Sequence, residues 1–459
     1  MAGKSHTDRT TIAVAAEKAV LAAVRLPDDN IDERDPMGEL RSLAETAGAR
    51  VVSEMTQNRQ RPEAGTFIGS GKVDELKTLC EATGATLIIF DNNLSPSQIG
   101  NIEKRVERKV IDRSELILDI FASRATTHEA KLQVELAQLE YTYPRLRAMW
   151  DHLERIVGVG GVGGIGTRGP GEQQLEIDRR LVRKRLSELR GELEVIQARK
   201  RREVEKRNTD FFTVGLVGYT NAGKSTLFNT LTEGGAYVAD KLFATLTTRT
   251  REWSVESETG STRVMISDTV GFVRNLPHNL VASFKATLEE ATHADLLLLV
   301  LDVSDPSAER QYETVNKVLD ELFADVAKAE ARAEREWAPP RRLLLLNKID
   351  RLEDNANLLV WQARVPDSVP IVARDPDGAG QDLLRAAVLE ALRGPMLECV
   401  IRIPMRDSKG VHAIEQRTQV LERAYEDGAA LLRVRIGANE VQRLRALGAT
   451  IEEAGAPAS

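Results

Sequence analysis

The feature that most constrains this chain is a glycine-rich loop that directly follows an apolar run. Residues 211–217 are mostly apolar, and the next eight residues read Gly-Tyr-Thr-Asn-Ala-Gly-Lys-Ser, ending at Ser225. A strand, a Gly-x4-Gly-Lys-Ser loop and a helix are the parts of a P-loop, whose backbone N–H groups cradle phosphate oxygens. We predict the helix over Thr226 to Leu231, with its positive N-terminus facing the phosphates. The pattern predicts a nucleotide site in an α/β fold.

Each residue of this loop has an expected contact. Lys224 should reach the β- and γ-phosphates and act in catalysis, and the Ser225 hydroxyl should ligate Mg²⁺. For Asn221 two interpretations stay open, a ligand for a monovalent cation such as K⁺ or a hydrogen bond within the loop. The predicted nucleotide contacts in the loop are Gly218, Tyr219, Thr220, Asn221, Ala222, Gly223, Lys224, Ser225 and Thr226.

A second Gly-Ser-Gly-Lys sequence, at residues 69–72, resembles this loop without completing it. Thr66 stands where the first glycine belongs, and Val73 stands where a Ser or Thr must hold the metal. We therefore predict a structural turn there and no second nucleotide site.

An acidic motif follows the next predicted strand, Val264 to Ser267. Asp268 should hold the Mg²⁺ shell and Gly271 should offer its N–H to the γ-phosphate, which makes Gly271 a predicted catalytic residue. Thr269 and Val270, between them, are predicted nucleotide contacts. Phe272 stands where many GTPases place a glutamine that orients water, so we expect slow intrinsic hydrolysis.

Two further apolar runs, 295–302 and 342–346, are typical of buried parallel strands. The second leads into Asn347, Lys348 and, after Ile349, Asp350. A carboxylate at 350 can accept two hydrogen bonds from guanine that adenine cannot supply, so GTP is the expected substrate. Lys348 should lie along the base plane. The last predicted base contacts are Val372, Ala373 and Arg374, with the Ala373 N–H donating to the guanine carbonyl oxygen.

The segment 242–248, between these motifs, is the expected first switch. A switch needs a threonine that touches Mg²⁺ and the γ-phosphate. Thr245 is the first choice as a metal ligand and catalytic residue, with Thr247 and Thr248 as alternatives.

Outside the nucleotide motifs, the chain divides by composition. The predicted parts are a flexible tail (1–18), an α/β subdomain (19–122), a helical hairpin (123–210) with a glycine loop (158–171), a P-loop domain (211–395) and a small α/β domain (396–459). The loop has eight glycines in 14 residues, which no helix or strand should survive. The second hairpin helix has 12 basic and eight acidic residues, and spacing alone favours a solvated face.

Composition excludes several classes of protein. The net charge of −7 argues against nonspecific nucleic-acid binding by the whole chain. No apolar stretch is long enough to span a membrane, and the N-terminus does not resemble a signal peptide. Cys80 and Cys399 lack metal-ligand spacing and should be buried thiols in a reducing compartment. We expect a cytoplasmic protein, and loose membrane association is compatible with that expectation.

Together these motifs resemble the HflX family of translational GTPases. Gly218 to Thr226 and Asp268 to Pro277 match the family's P-loop and second switch. The family-like segments outside the P-loop domain are Ile68–Lys72, His128–Leu139 and Gly163–Glu172. The sequence departs from the family at Val372, which is usually Ser, and in a first switch about two residues shorter than usual.

The resemblance implies a ribosome-associated GTPase. Its expected partners are the large ribosomal subunit and ribosomal RNA, which it would bind to split or rescue stalled ribosomes, and off the ribosome it is expected to be a monomer. The glycine loop would probe the peptidyl-transferase region, and the expected RNA contacts are Gly164, Arg168, Gly169, Arg179 and Arg180. A ribosome-assembly GTPase and an ATP-driven RNA remodeller are the alternatives.

Overall fold

The computed structural model describes most of the chain. The described residues are 17–27, 34–158, 170–232, 243, 248–257, 260–274, 290–334, 337–404, 418–426, 428–437, 441 and 450–453. Within them, no helix is both long and apolar enough to cross a bilayer.

The N-terminal part is a parallel α/β layer structure in which strands alternate with helices. Its sheet has the order β2-β1-β3-β4, with every neighbouring pair parallel. The helix Pro96–Val106 begins with a capping box: the Ser95 side chain accepts from the Gln98 N–H, and the Gln98 side chain accepts from the Ser95 N–H. Pro96 occupies the first turn of this helix. In chain order the elements are β1 (Lys18–Arg25), α1 (Gly38–Thr46), β2 (Arg50–Asn58), α2 (Ser70–Thr83), β3 (Leu87–Phe90), α3 (Pro96–Val106), β4 (Lys109–Asp112) and α4 (Arg113–Arg124).

Two features of this part were not expected from the sequence. The Gly69–Lys72 segment, predicted as a structural turn, begins a helix: Gly69 precedes α2, and Ser70 to Lys72 form its first turn, where Lys72 pairs with Glu75 at 2.6 Å. Helix α4 was not predicted at all. Its first residues, Arg113 and Ser114, are polar yet buried, so the sequence shows no amphipathic start there.

A pair of long helices follows, α5 (His128–Gly158) and α6 (Pro170–Asp210). They pack through leucines: Leu132 and Leu136 of α5 meet Leu186, Leu189 and Leu193 of α6. Helix α5 includes Gly158, and α6 begins at Pro170. The prediction that no helix enters the glycine tract was therefore wrong at both ends, while residues 159–169 lie outside the described residues.

The P-loop domain is built on a six-stranded sheet of order β10-β9-β8-β5-β7-β6. Only the β6–β7 pair is antiparallel; the other pairs are parallel. Strand β6, polar and at the edge, was not predicted. The elements are β5 (Phe212–Gly218), α7 (Lys224–Leu231), β6 (Arg249–Ser257), β7 (Gly260–Asp268), β8 (Leu296–Asp302), α8 (Ala308–Arg332), β9 (Arg341–Asn347), a 3₁₀ turn (Ile349–Arg351), α9 (Ala356–Arg364), β10 (Val369–Ile371) and α10 (Gln381–Arg393).

The C-terminal part contains a four-stranded antiparallel sheet of order β12-β13-β11-β14. Both cysteines are buried free thiols, Cys399 in this sheet and Cys80 in the N-terminal core, as predicted. The strands are β11 (Met396–Pro404), β12 (Gln419–Glu426), β13 (Ala429–Gly437) and β14 (Thr450–Glu453).

Candidate nucleotide-binding site

The sequence motifs meet at one edge of the six-stranded sheet. The P-loop follows β5, Asp268 ends the neighbouring β7, and Asn347 ends β9. These strands are parallel, so their carboxyl ends share one edge, where open α/β sheets bind ligands. The amide of Asn347 is buried and donates to the carbonyl of Ala222 at 2.7 Å. This bond ties the base-recognition motif directly to the P-loop.

Lys224 is buried inside the loop that it is expected to serve. Its Nζ donates to the carbonyls of Gly218 at 3.0 Å and Tyr219 at 2.7 Å. Burial lowers the pKa of Lys224 to about 8, although the charge of Asp268 acts in the opposite direction. The loop carbonyls thus bind the ammonium group that the phosphates are expected to bind in the nucleotide complex.

Two glycines of the site are required by close approach. Gly223 has a left-handed φ of 104°, and a methyl group there would lie 2.2 Å from the Asn347 amide nitrogen. A methyl group on Gly271 would lie 2.9 Å from Thr220 Cγ2 and 3.0 Å from Lys224 Nζ. The absence of side chains lets the base motif and the second switch contact the P-loop.

Ser225 and Asp268 form the pair expected to hold the metal. Ser225 Oγ donates to Asp268 Oδ2 at 2.7 Å, and the Asp268 side chain is almost fully buried. A hydroxyl and a carboxylate are oxygen ligands of the kind that Mg²⁺ prefers, so these donors fit the ion. Thr245 lies outside the described residues, as does Thr247. Thr248 is described, with a buried hydroxyl.

The base-recognition residues are arranged around Asp350. Its carboxylate lies 2.8 Å from the guanidinium of Arg374, which brings the two motifs together. Lys348 has a left-handed φ of 62°. Its Nζ pairs with Asp302 at 2.6 Å and donates to the Asn221 carbonyl at 2.9 Å.

One backbone contact differs from the expectation. The Ala373 N–H donates to Asn347 Oδ1 at 3.0 Å, so it is not directed at a base. Asn347 has both a donor and an acceptor on its side chain, and it satisfies the P-loop with one and this last motif with the other. The sequence shows that Ala373 has an N–H group, but it does not show that the Asn347 side chain lies close enough to accept from it.

The second switch is joined to the P-loop by backbone hydrogen bonds. Phe272 N–H donates to the Gly218 carbonyl at 3.1 Å, and Thr220 N–H donates to the Phe272 carbonyl at 2.8 Å. The Phe272 ring is buried in the core that also contains Tyr219 and Val273. An apolar ring held in this way has no group with which to orient water.

Sequence reasoning missed a set of charged residues that links this site to the N-terminal part. We call Glu39, Asp91, Arg113, Tyr219 and Arg274 the interdomain cluster. Tyr219 Oη donates to Glu39 Oε1 at 2.5 Å and accepts from the Arg274 N–H at 2.7 Å. Burial is the first cause that raises the pKa of Tyr219 above its usual value, and Glu39 adds to it. A residue of the P-loop and one of the second switch therefore share partners in another domain.

Arg113 is the fully buried member of the interdomain cluster. Its Nη1 donates to Asp91 at 2.6 Å, its Nη2 lies 2.8 Å from Glu39, and its Nε donates to the Arg274 carbonyl at 3.2 Å. Arg274 itself reaches Asp91 at 2.8 Å and Glu39 at 3.2 Å. Burial alone would lower the pKa of Arg113, but the two carboxylates outweigh it and hold the pKa above its usual value. No local sequence motif predicts this cluster, because its members are far apart in the sequence.

The first switch also contacts the N-terminal part. Phe243, the residue of the segment 242–247 that the structure describes, makes the contact. The rings of Phe243 and Phe121 lie 4.6 Å apart, and Arg124 Nη1 donates to the Phe243 carbonyl at 3.3 Å. Both aromatic side chains are buried. Helix α4 therefore supplies partners to both switch segments.

The hairpin uses part of its positive charge internally. Arg185, Arg190 and Lys200 of α6 pair with glutamates of α5 at 2.7, 2.7 and 3.5 Å. Of the predicted RNA contacts, Arg180 is exposed and Arg179 is partly buried. Gly164, Arg168 and Gly169 lie outside the described residues. The predicted solvated face is thus partly an ion-pair seam between the helices.

Three family models match consecutive parts of the chain. The model described as "GTP-binding GTPase N-terminal" matches residues 34–122, and "GTP-binding GTPase Middle Region" matches 124–207. The model described as "50S ribosome-binding GTPase" matches residues 213–336.

Curated relatives match almost the whole chain. The chain is 42% identical over 434 residues to "GTPase HflX" of Escherichia coli K12, which covers 94% of this chain and 96% of the relative. It is 40% identical over 414 residues to "GTPase HflX" of Alkalihalophilus pseudofirmus, covering 90% and 91%. Among solved structures, a GTP-binding protein from Sulfolobus solfataricus in complex with GDP is 24% identical, with coverage of 82% and 98% and a TM-score of 0.41.

Proposed function

The chain belongs to the HflX family of GTPases, and from that premise we propose that it binds the large ribosomal subunit as a monomer and uses GTP hydrolysis to split or rescue stalled ribosomes. The observation that carries the nucleotide half of the proposal is the meeting of three motifs at one sheet edge, through the 2.7 Å bonds of Asn347 to Ala222 and of Ser225 to Asp268. The observation that supports the ribosomal half is the long helical pair.

Nucleotide binding would exchange the internal contacts of the P-loop for contacts to phosphate. The Lys224 ammonium would leave the carbonyls of Gly218 and Tyr219 for the β- and γ-phosphates, and the Gly271 N–H would donate to the γ-phosphate. Ser225 and Asp268, with Thr245, would hold Mg²⁺, which neutralises phosphate charge when bound. The Asn221 side chain is exposed, so it is accessible to a K⁺ ion, as one of its two predicted roles requires.

Base recognition would depend on release of Asp350 from Arg374. The carboxylate that pairs with Arg374 at 2.8 Å would accept two hydrogen bonds from guanine, and the Arg374 guanidinium would move aside. Because the Arg374 side chain is 71% exposed, its pair with Asp350 is expected to cost no more than about 1 kcal/mol to break. Two charge-assisted bonds to guanine outweigh that cost.

The hairpin would act as the ribosome-reaching arm. A helix of 41 residues is about 60 Å long, far more than the P-loop domain needs for its own core. Ion pairs join α5 to α6, while exposed residues such as Arg180 and Lys184, in the part of α6 nearer the glycine tract, would neutralise phosphates. The arm would present the glycine tract to RNA.

Hydrolysis would be slow in the free protein and faster on the ribosome. Phe272 offers no polar group to the attacking water, and the second switch is held by Arg113 and Glu39 of the interdomain cluster. Binding to the ribosome is expected to order the switches. Single-turnover GTP hydrolysis, with and without large subunits, measures the difference. A rate that is fast alone and indifferent to ribosomes would contradict this proposal.

Base choice tests the site independently of the ribosome. Asp350→Asn should weaken GTP binding by about 100-fold and favour xanthosine triphosphate, because the amide donates where guanine also donates. Lys224→Ala should abolish binding of both nucleotides. Calorimetry of the full chain gives both results, with Asp354→Asn as a control outside the motif. Unchanged GTP affinity in Asp350→Asn would refute the assignment.

Ribosome pelleting and sucrose gradients test the arm and the outcome. With a non-hydrolysable GTP analogue, the protein should pellet with large subunits, and Arg180→Glu should reduce pelleting. Arg202→Glu makes the same change at the opposite end of α6 and serves as the control. Intact ribosomes should separate into subunits with GTP. Binding to precursor subunits alone would instead favour an assembly role.

A further inference from the structure

The buried hydroxyl of Thr220 has no hydrogen-bond partner among the described residues, although it lies in the middle of the P-loop. The residue is 6% exposed, and its Oγ1 is fully buried. A buried hydroxyl without a partner costs free energy, roughly 1–3 kcal/mol, so it needs a reason. The backbone at this residue is satisfied, because its N–H donates to the Phe272 carbonyl.

The location of Thr220 places it where the γ-phosphate is expected. A methyl group on Gly271 would be 2.9 Å from Thr220 Cγ2 and 3.0 Å from Lys224 Nζ, so all three residues surround one small volume. Lys224 and Gly271 are the two residues assigned to the γ-phosphate in the proposed function. The hydroxyl of Thr220 is bonded to its Cβ, the carbon that also bears Cγ2.

Three other hydroxyls of the P-loop and second switch already have partners. Tyr219 Oη bonds to Glu39 and Arg274, Ser225 Oγ donates to Asp268, and Thr269 Oγ1 donates to the Leu216 carbonyl at 2.6 Å. The side chain after the Asp-x-x-Gly motif, Phe272, is an apolar ring in the core. Among the described hydroxyls of the P-loop and second switch, that of Thr220 is the one buried without a hydrogen-bond partner, and Thr248 of the first switch is in the same state.

We propose that Thr220 is a catalytic residue whose hydroxyl orients the attacking water and donates to a γ-phosphate oxygen. The inference rests on the proposed function of the same site. In the step, the water oxygen forms a bond to the γ-phosphorus while the bond from that phosphorus to the β–γ bridging oxygen breaks. The water proton passes to the released phosphate, and the products are GDP and inorganic phosphate. Thr220 positions these groups and keeps its own proton.

The test compares two substitutions that separate the hydroxyl from the methyl group. Thr220→Val keeps the shape and removes the hydroxyl, and it should slow single-turnover GTP hydrolysis by about 100-fold. Thr220→Ser keeps the hydroxyl and should stay within about threefold of wild type. Thr314→Val makes the same change on α8, outside the site, and should hydrolyse GTP normally.

Binding measurements distinguish catalysis from folding. Thr220→Val should bind GDP as wild type does, but should bind GDP with aluminium fluoride, which imitates the transferring phosphoryl group, about 100-fold more weakly. Its unfolding midpoint should be unchanged or higher, because an unpaired buried hydroxyl has been removed.

Three results would overturn the inference. They are a wild-type rate in Thr220→Val, an equal loss in Thr220→Ser, or lost GDP affinity in Thr220→Val. If Lys224→Ala still bound GTP, the proposed site would be wrong, which is a separate outcome.

Discussion

Replacing Arg113 by methionine removes the fully buried charge of the interdomain cluster, which joins the N-terminal part to the nucleotide site. Methionine fills much of the same space but carries no charge. Asp91, which is 5% exposed, loses its 2.6 Å bond, and Glu39 loses a cation at 2.8 Å. Breaking a buried ion pair by removing one partner costs about 3–5 kcal/mol. Arg274 still reaches both carboxylates, so we expect the lower end, about 3 kcal/mol.

The assay uses the buried thiol of the N-terminal core. Cys80 is fully buried, and in a Cys399→Ser background it is the remaining cysteine. Its labelling reports opening of that core, and 3 kcal/mol should raise the labelling rate roughly 100-fold when opening is in equilibrium. Urea unfolding followed by circular dichroism should show a matching loss.

Arg105→Met is the matched control for this prediction. Arg105 pairs with Asp74 at 2.6 Å, but the two side chains are 40% and 60% exposed. An exposed pair should contribute less than about 1 kcal/mol. If Arg113→Met cost no more than Arg105→Met, the argument from burial would be refuted. A double change of Arg113→Met with Asp91→Asn should cost less than the two single changes added together.

The remaining predictions concern the nucleotide site. Gly271→Ala should slow GTP hydrolysis by at least tenfold in a phosphate-release assay, because its methyl group would lie 2.9 Å from Thr220, while Gly71→Ala, with open space around it, should have no effect. Asp268→Asn should raise the Mg²⁺ concentration for half-maximal hydrolysis at least tenfold, measured by Mg²⁺ titration; an unchanged Mg²⁺ requirement would exclude Asp268 from the metal site. Burial lowers the pKa of Lys224 to about 8 in the nucleotide-free chain, so GTP binding should take up a proton above pH 8, and affinity should fall as pH rises further. Calorimetry in buffers of different ionisation enthalpy measures that uptake, and equal heats at pH 9 would contradict it.

The sequence predicted the parts of the fold that follow from local rules. Apolar runs before residues 218, 268 and 347 are buried parallel strands, and the motifs at their ends share one edge of the sheet. Strand β6 was missed because most of its exposed residues are charged. Its alternation was visible, since Trp253 and Val255 face the core while Ser254, between them, is exposed.

The contacts that could not be predicted are those between distant segments. Glu39 and Arg274 are 235 residues apart, and neither belongs to a motif that names a partner. The engagement of the Ala373 N–H by Asn347 depends on how closely β9 and β10 approach at their ends. A pattern reports which groups are present, but pairing of this kind is set by tertiary geometry.

These long-range contacts have a consequence for any movement of the second switch. Arg274 cannot shift without changing its bonds to Asp91 and Glu39, and its N–H is bonded to the hydroxyl of Tyr219 in the P-loop. The position of the N-terminal part and the conformation around the γ-phosphate site are therefore linked. Linkage of this kind is reciprocal in free energy. If a partner that holds the N-terminal part changes nucleotide affinity, nucleotide changes the affinity for that partner by the same factor.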